Sequence, residues 1–561
     1  MPSIFETDAA LDTLAATAIT QTKELMAQSE KLRDRREKAS RKRVARLFKD
    51  PKAIEATITL TDEVMRISSV QSSSRIFRRA AKKASLVGFG AVNALGLHFI
   101  GVLSRVVPGP IVGVVHQRVR ALSKDLILAS ESEKLAKHLA KRATKGISLN
   151  INVLGEAVLG DHEAEQRFQS ILEMMRRPEV NYISVKLSSI VAQLIIIDVD
   201  GSIDRVSEKM RILYRQAQEH GVFVNLDMEE YRDLPMTVAA FMRVLDEDEF
   251  AGMKAGIVLQ AYLPESHHFF GELVTWAKAR YEKSGGTIKV RLVKGANLAM
   301  ERAEAELHGW SPAPYRTKSD VDASYVRLVD AALRPEHAKA VRIGIASHNL
   351  FHMTWAIEVA KSRGVLEQID IEMLEGMANA EALAVTRAGQ PVLLYAPVTR
   401  KDDFAAAVAY LVRRLDENTS DENYLKAAFD IAKNPAKFAD QEQRFLKSIA
   451  ERHTITTETL RHIEHGQLTG LTFENEPNAD PTEPRFIASV EKAMKKVHGI
   501  KDQEIPLVVN GKEVFTKEQE EGSDPSDNGK VWYHYSVGSA KDVDSACAAA
   551  KNAQAKWSSL T

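Results

Sequence analysis

Eight polar side chains stand in or just after short apolar runs. Read as strand-end groups, Lys186 ends the run YISVKL, Asp227 VFVNLD, Gln260 AGIVLQAY, Arg291 and Lys294 IKVRLVKG, His348 VRIGIASHN, Glu372 IDIEML and Tyr395 PVLLYAP. If such runs are parallel strands closing on themselves, their C-terminal ends form one rim, and cations, carboxylates, an imidazole and a phenol gathered there can bind and orient a charged ligand. Arg413 and Arg414 are followed by Glu417 at helical i+3/i+4 spacing, which lets a carboxylate brace a guanidinium. A braced arginine pair suits a carboxylate ligand, because guanidinium offers two parallel hydrogen bonds. The run RLVKGA sets two cations beside a small glycine-containing turn, where backbone N–H groups can approach an anion, position a cofactor or cap a helix. Lys186 and Lys294 are also the kind of strand-end lysine that forms Schiff bases, so an aldolase is an alternative.

Those positions need a scaffold. From residue 147 onward, Val- and Ile-rich runs near 150, 184, 224, 258, 290, 345, 371 and 393 alternate with amphipathic helical stretches. Eight such runs, about 25 to 40 residues apart, imply an α/β fold, a closed (β/α)8 barrel of the TIM type over residues 147–430. The longer interval between the fifth and sixth runs calls for an extra loop or helix, and DDFAAAVAYLVRRLDEN reads as the eighth barrel helix. Residues 1–146 read as an N-terminal helical arm, 431–500 as a helical linker, and 501–561 as a new domain of strands, a DPSDNG turn and an alanine-rich helix.

Composition narrows the function classes. A chain of 561 residues exceeds what one core supports, so more than one domain is expected. Lys+Arg and Asp+Glu balance at 76 each, so no bulk field favours nucleic acid. The basic run KLRDRREKASRKRVARLFK lacks aromatic interleaving and reads as a solvated helix face; a DNA-binding regulator is the weaker alternative and no nucleic acid partner is expected. One cysteine, Cys547, excludes an internal disulfide or a cysteine-rich metal site and fits a cytoplasmic protein; on its alanine-rich helix it reads as a small buried apolar residue. The start, MPSIFETDAALD, has no secretory signature. Residues 86–104 carry no formal charge and follow Arg78, Arg79, Lys82 and Lys83, but their glycines, Asn93 and His98 favour a buried or interfacial helical hairpin over a membrane span. Peripheral contact with the inner face of a membrane through 86–115 is therefore expected.

The motifs SVKLSS, NLDMEE, GIVLQAY, VRLVKGA, ASHN, EMLEGM, YAPV and AYLVRRLDEN occur in the order seen in proline dehydrogenases. Over residues 147–430 the chain resembles the barrel of bacterial bifunctional proline utilization A flavoenzymes, and 50–146 resembles it more loosely. The resemblance implies oxidation of L-proline to 1-pyrroline-5-carboxylate, with FAD bound by Gln260, Arg291, Val293, Lys294, Gly295, Ala296, Thr317, Lys318, Ser347, His348, Asn349 and Glu372. It implies that Lys186, Arg413 and Arg414 meet the substrate carboxylate, that Asp227, Leu374 and Tyr395 shape the pocket, and that Glu417 orients the arginines. Tyr395 would crowd a ring hydroxyl, favouring proline over hydroxyproline. A quinone is the implied electron acceptor, and a homo-oligomer is compatible with the family. Asn297 and Leu298 stand where the family usually has an aromatic pair. Residues 501–561 resemble the opening of a pyrroline-5-carboxylate dehydrogenase, an aldehyde dehydrogenase cut short, so the NAD-linked second oxidation is expected only of a full-length parent.

Overall fold

The computed structural model describes residues 6–47, 50–123, 126–155, 158, 160–400, 407, 410, 423–462, 475, 478–498, 503–527 and 529–560. They divide between Asn478 and Ala479 into two compact units.

The first unit is organised by eight parallel strands: β1 (Ile147–Val153), β2 (Tyr182–Lys186), β3 (Phe223–Asp227), β4 (Ala255–Gln260), β5 (Ile288–Val293), β6 (Val341–Ala346), β7 (Ile369–Leu374) and β8 (Val392–Thr399). Each pairs with its successor, and β8 also pairs with β1 from Ile147↔Val392 to Val153↔Val398, so the sheet closes. All eight apolar runs are strands of this barrel. Between β5 and β6 lie two helices, Leu298–His308 and Lys318–Ala332, which account for the longer interval there. Of the expected eighth barrel helix, only Ala407 and Tyr410 belong to the described residues; both are buried.

Side chains alternate across a strand, so two faces can be read directly. Ile183, Val185, Val224, Leu226, Val290, Leu292, Ile371 and Leu394 belong to the apolar core that the surrounding helices share. The alternate set, Asn150, Ser184, Asn225, Lys289, Arg291 and Glu372, is also buried but polar, and its members bond to one another inside the barrel. Lys289 Nζ lies 2.6 Å from Glu372 Oε1 and 2.9 Å from Asp370 Oδ2, and Arg291 Nε lies 2.8 Å from Glu372 Oε2. Burial opposes the charge on Lys289, but Glu372 and Asp370 outweigh it, so its pKa is raised. Room for this cluster comes from Gly344 on β6, where a Cβ would stand 2.3 Å from Glu372 Oε1.

The N-terminal residues are less separate than an arm. In the helix Leu14–Leu32, Ala15, Ala18, Ile19, Leu25 and Met26 join the barrel core. They pack on the helix Leu350–Ser362, where Thr22 Oγ1 and Thr354 Oγ1 are 2.9 Å apart and the fully buried Trp355 donates its indole N–H to the Leu11 carbonyl at 3.3 Å. A second cluster, around Phe77 with Val64, Ala81, Ile111 and Val115, joins helices Pro51–Thr61, Val70–Lys83, Ala91–Leu103 and Pro108–Ser123.

The stretch read as a linker, 431–500, is divided. Helix Pro435–Glu451 packs on the first unit, with the Phe445 ring 5.7 Å from that of Phe351. Helix Pro484–His498 falls in the second unit, which also holds a three-stranded sheet, Gln503–Ile505, Val531–Ser536 and Gln519–Ser523. Its Leu507–Val509/Lys512–Val514 hairpin turns through Asn510 and Gly511, both at positive φ, as a two-residue Asn-Gly turn requires. Cys547, read from sequence as buried, is exposed: it sits on helix Ala540–Ser558, none of whose residues is buried.

Truncating Trp355 removes a filled core position and the tie to Leu11. Trp355→Ala is expected to destabilise the first unit by about 3–5 kcal/mol, read as a lowered urea midpoint, with Trp355→Phe losing clearly less.

Candidate active site

Polar groups from the barrel interior continue upward into a cavity of about 320 Å³ at the C-terminal ends of the strands. Its floor is set by Asp227. Oδ2 accepts the Tyr395 hydroxyl at 2.6 Å; Oδ1 accepts from Ser184 Oγ at 3.0 Å and Asn225 Nδ2 at 3.1 Å, with Arg291 Nη1 at 3.5 Å. Burial pushes the Asp227 carboxyl up, while Arg291 and Tyr395 pull against it. Burial likewise holds Tyr395 well above the usual phenol range, so it remains a hydroxyl donor. The Arg291 guanidinium lies 4.8 Å from the Tyr395 ring centroid, a cation over an aromatic face. Arg291 is thus held by Glu372 below, Asp227 beside it and Tyr395 across from it.

Lys186 ends β2 and donates to Glu229 Oε1, while Ser188 Oγ donates to Glu229 Oε2 at 3.3 Å. The backbone carbonyl of Glu229 accepts from Gln260 Nε2 at 3.1 Å and from Asn297 Nδ2 at 3.0 Å. Asn297, the departure from the family pattern, therefore pins the loop that carries the partner of Lys186. Gln260 serves the same loop and does not line the cavity.

A second constellation stands on the loop after β5. Lys294 Nζ donates to Asp322 Oδ1 at 2.6 Å and lies 3.0 Å from His352 Nδ1; Lys318 donates to the same Asp322 oxygen. Burial and the neighbouring Lys318 lower the Lys294 pKa to about 7, with Asp322 opposing. Burial and Lys294 hold His352 well below its ordinary value. A neutral His352 that accepts at Nδ1 must carry its proton on Nε2, which faces Ser448 Oγ at 3.1 Å. Gly295 has φ +130°, and a Cβ there would fall 2.5 Å from Tyr262 Cγ; the glycine is required because that ring occupies the side-chain position.

Of the residues picked out by sequence, Lys186, Asp227, Arg291, Val293, Lys294, Gly295 and Ala296 line this one cavity, with Lys318, Ser347, His348, Asn349, Glu372, Leu374 and Tyr395. Thr317 does not: it caps helix Lys318–Ala332 reciprocally with Asp320. Glu372 and Tyr395 lie within their strands rather than at the ends, which is why they reach the cavity from beneath. His348 lies beyond β6, and its Nε2 accepts the Leu374 backbone N–H at 3.1 Å. Arg413, Arg414 and Glu417 lie outside the described residues. Sequence reading missed Glu229, Asp322, His352, Arg444 and Phe445. Glu229 was within reach, two residues past Asp227 in NLDMEE, and Asp322 stands one helical turn after Lys318. Arg444 and Phe445 arrive on a helix far along the chain and carried no local signal.

The proline dehydrogenase family matches residues 135–427, more than half of the chain. This chain belongs to the proline dehydrogenase family. Relatives include the bifunctional protein PutA of Escherichia coli (strain K12), 24% identical over 334 residues, which are 56% of this chain and 25% of that protein. A 1-pyrroline-5-carboxylate dehydrogenase of Staphylococcus saprophyticus is 39% identical over 87 residues, 16% of this chain and 17% of its own length. Among solved structures, proline utilization A from Corynebacterium freiburgense is 43% identical with a TM-score of 0.59, covering 70% of this chain and 38% of that one. That from Bdellovibrio bacteriovorus has a TM-score of 0.79 at 24% identity over 98% of this chain and 55% of that one, and shows the shared fold. The chain spans about a quarter of the length of the PutA relatives it matches.

Glu301, in the first turn of helix Leu298–His308, is buried and accepts the Tyr231 backbone N–H at 2.7 Å. Burial raises its pKa from 4.5 to about 7, helped by Glu304 and Glu230. A carboxyl raised in the fold contributes stability that is complete below about pH 4.5 and lost as pH rises through about 7. Glu301→Gln, which can still accept from Tyr231, is expected to stabilise the protein by on the order of 1–3 kcal/mol at pH 8. Urea midpoints at pH 8 and pH 4.5 check this; the difference should vanish at the lower pH.

Proposed function

We propose that this chain oxidises L-proline to 1-pyrroline-5-carboxylate with a bound flavin, FAD. The observation that supports it best is the juxtaposition, in one cavity, of a carboxylate-binding cation (Lys186), a locked polar floor (Asp227, Tyr395, Arg291) and a separate cationic group (Lys294, Lys318). The donor set fits an elongated anionic cofactor: Lys294, Lys318 and Arg444 line the cavity with Ser347 and Asn349, as phosphate and ribose binding need. When bound, the flavin supplies a two-electron acceptor.

The chain's own residues then have definite tasks. Lys186 binds the substrate carboxylate, exchanging part of its contact with Glu229, and Arg413 and Arg414 are proposed to share that carboxylate, oriented by Glu417. Tyr395, fixed by Asp227 and stacked on Arg291, sets the wall against the ring and disfavours a hydroxyl substituent. Leu374, whose N–H is held by His348, forms an apolar part of the wall. Gln260 acts indirectly by holding the Glu229 loop beside Lys186, and Thr317 by capping the helix that carries Lys318. Both strand-end lysines are engaged with carboxylates, and family membership decides against the aldolase alternative. We take a quinone as electron acceptor and the cytoplasmic side of a membrane as the location. The likeness to a 1-pyrroline-5-carboxylate dehydrogenase supports an NAD-linked oxidation of glutamate semialdehyde in the parent polypeptide.

The test is the visible spectrum of the purified protein under anaerobic conditions. Flavin bands near ~450 nm are expected to bleach on addition of L-proline, and Lys186→Met should keep the bands while raising the proline concentration for half-bleaching about 10- to 100-fold, the cost of one charge-assisted hydrogen bond. A protein that is colourless and takes up no added flavin would overturn the proposal.

A further inference from the structure

Among the described residues four carboxylates line the cavity, and they differ in how firmly they are held. Glu372 serves Lys289 and Arg291, and Asp322 serves Lys294 and Lys318. Asp227 divides its oxygens among the Tyr395, Ser184 and Asn225 donors, with Arg291 alongside. Glu229 has one cation, Lys186, and one distant neutral donor, Ser188 Oγ at 3.3 Å. Its backbone is nevertheless fixed, because its carbonyl accepts from both Gln260 and Asn297. A carboxylate on a flexible stem above a pinned backbone can change its partner without any movement of the loop.

The Lys186–Glu229 pair matches free proline in charge. Proline is a zwitterion whose carboxylate and ring ammonium are borne on the same carbon. Once the substrate carboxylate takes Lys186, Glu229 loses its counter-ion inside the cavity, which is costly unless the ligand supplies another. The ammonium supplies it. One ion pair is then exchanged for two, and no charge is left alone. Lys186 cannot also take up a proton from the amine, because it binds the carboxylate only while it is itself charged, and Asp227 has both oxygens engaged. The other titratable groups that face Glu229 are Glu230 and Asp233 along its own loop and the Tyr262 phenol after β4.

We propose that Glu229 receives the ring ammonium of the substrate and takes a proton from it, an inference that rests on the proposed oxidation of L-proline. At neutral pH this secondary amine carries two hydrogens and a positive charge, since alkyl amines titrate far above 7, as lysine does. In that form the nitrogen has no electron pair with which to make a C=N bond. One N–H proton passes to a Glu229 carboxylate oxygen and the nitrogen keeps the pair. That pair forms the C=N bond as the neighbouring ring carbon loses its hydride to the flavin. The substrate is oxidised by two electrons, the flavin is reduced by the same two, the product leaves as the protonated imine, and Glu229 returns its proton to water.

The experiment compares the wild-type chain with Glu229→Gln and Glu229→Asp, using two ligands: L-proline, and cyclopentanecarboxylate, which keeps the carboxylate and lacks the nitrogen. Analogue affinity is read by calorimetry, and proline by the concentration giving half the maximal rate of anaerobic flavin bleaching. Glu229→Gln is expected to weaken proline about tenfold and to tighten the analogue about tenfold, opposite shifts that a general loss of packing cannot produce. Its maximal bleaching rate at neutral pH should fall about 100-fold or more and recover as the pH approaches the pKa of the amine, while Glu229→Asp keeps the wild-type pH profile. If Glu229→Gln does not fold, wild type alone decides: the analogue should bind about tenfold or more weaker than proline, and equal affinity overturns the proposal. Shifts in the same direction for both ligands, or a pH profile unchanged in Glu229→Gln, overturn it while leaving proline oxidation standing. Wild-type protein that holds flavin but does not bleach with proline overturns the reading on which it rests, and the inference falls with it.

Discussion

The buried ion cluster inside the barrel, Lys289–Glu372–Arg291–Asp227, is the constraint on which the site depends. Charges taken out of water cost several kcal/mol each unless each finds a partner. Here one carboxylate, Glu372, serves two cations, and Asp227 divides its oxygens between Arg291, Ser184 and Tyr395. Losing any one member leaves the next uncompensated, so the cluster holds Arg291 and Tyr395 in single positions at the base of the cavity. Gly344 is part of the same design, since any side chain there would collide with Glu372.

From that base the cavity is built outward by loops that are themselves tied across the barrel mouth. The Glu229 carbonyl, accepting from Gln260 on β4 and from Asn297 after β5, joins three strand ends at one oxygen. Lys294 on the β5 loop meets both Asp322 and His352, and His352 in turn meets Ser448, so the loop is tied to two barrel helices and to the later helix Pro435–Glu451. A helix outside the eight βα units is therefore part of the site, and its Phe445 packs on Phe351 and His352 to keep it there.

Two helices in the N-terminal part of the first unit show opposite solutions to burying an apolar side. Leu14–Leu32 buries its Ala15, Ile19, Leu25 and Met26 against the barrel and becomes part of one core. Ala91–Leu103 buries one side only and leaves the other facing outward among cations. Both read as helical arm from composition; burial distinguishes a helix packed into the core from one with an exposed apolar side.

Local pattern determined the barrel. Runs such as YISVK and VFVNLD are too short and too β-branched for helices, and eight of them at helix-spaced intervals leave few ways to bury every strand. The residues at the ends of those runs, Lys186, Asp227 and Lys294 among them, were legible as a rim because strand direction alone sends them to one end. Tertiary structure decided which of them meet and what they become. Nothing in the sequence near Gln260 shows that it holds the Glu229 loop rather than the cavity, nor does the neighbourhood of Lys294 name Asp322 and His352, 28 and 58 residues on, as its partners. Cys547 was misread for a related reason: an alanine-rich helix has the composition of a buried element, but burial needs a neighbour, and in the second unit none of that helix is covered. Periodicity is carried by adjacent residues and survives in the sequence; pairing, desolvation and the resulting pKa shifts are set by atoms far apart in the chain, and exist only once the barrel has closed.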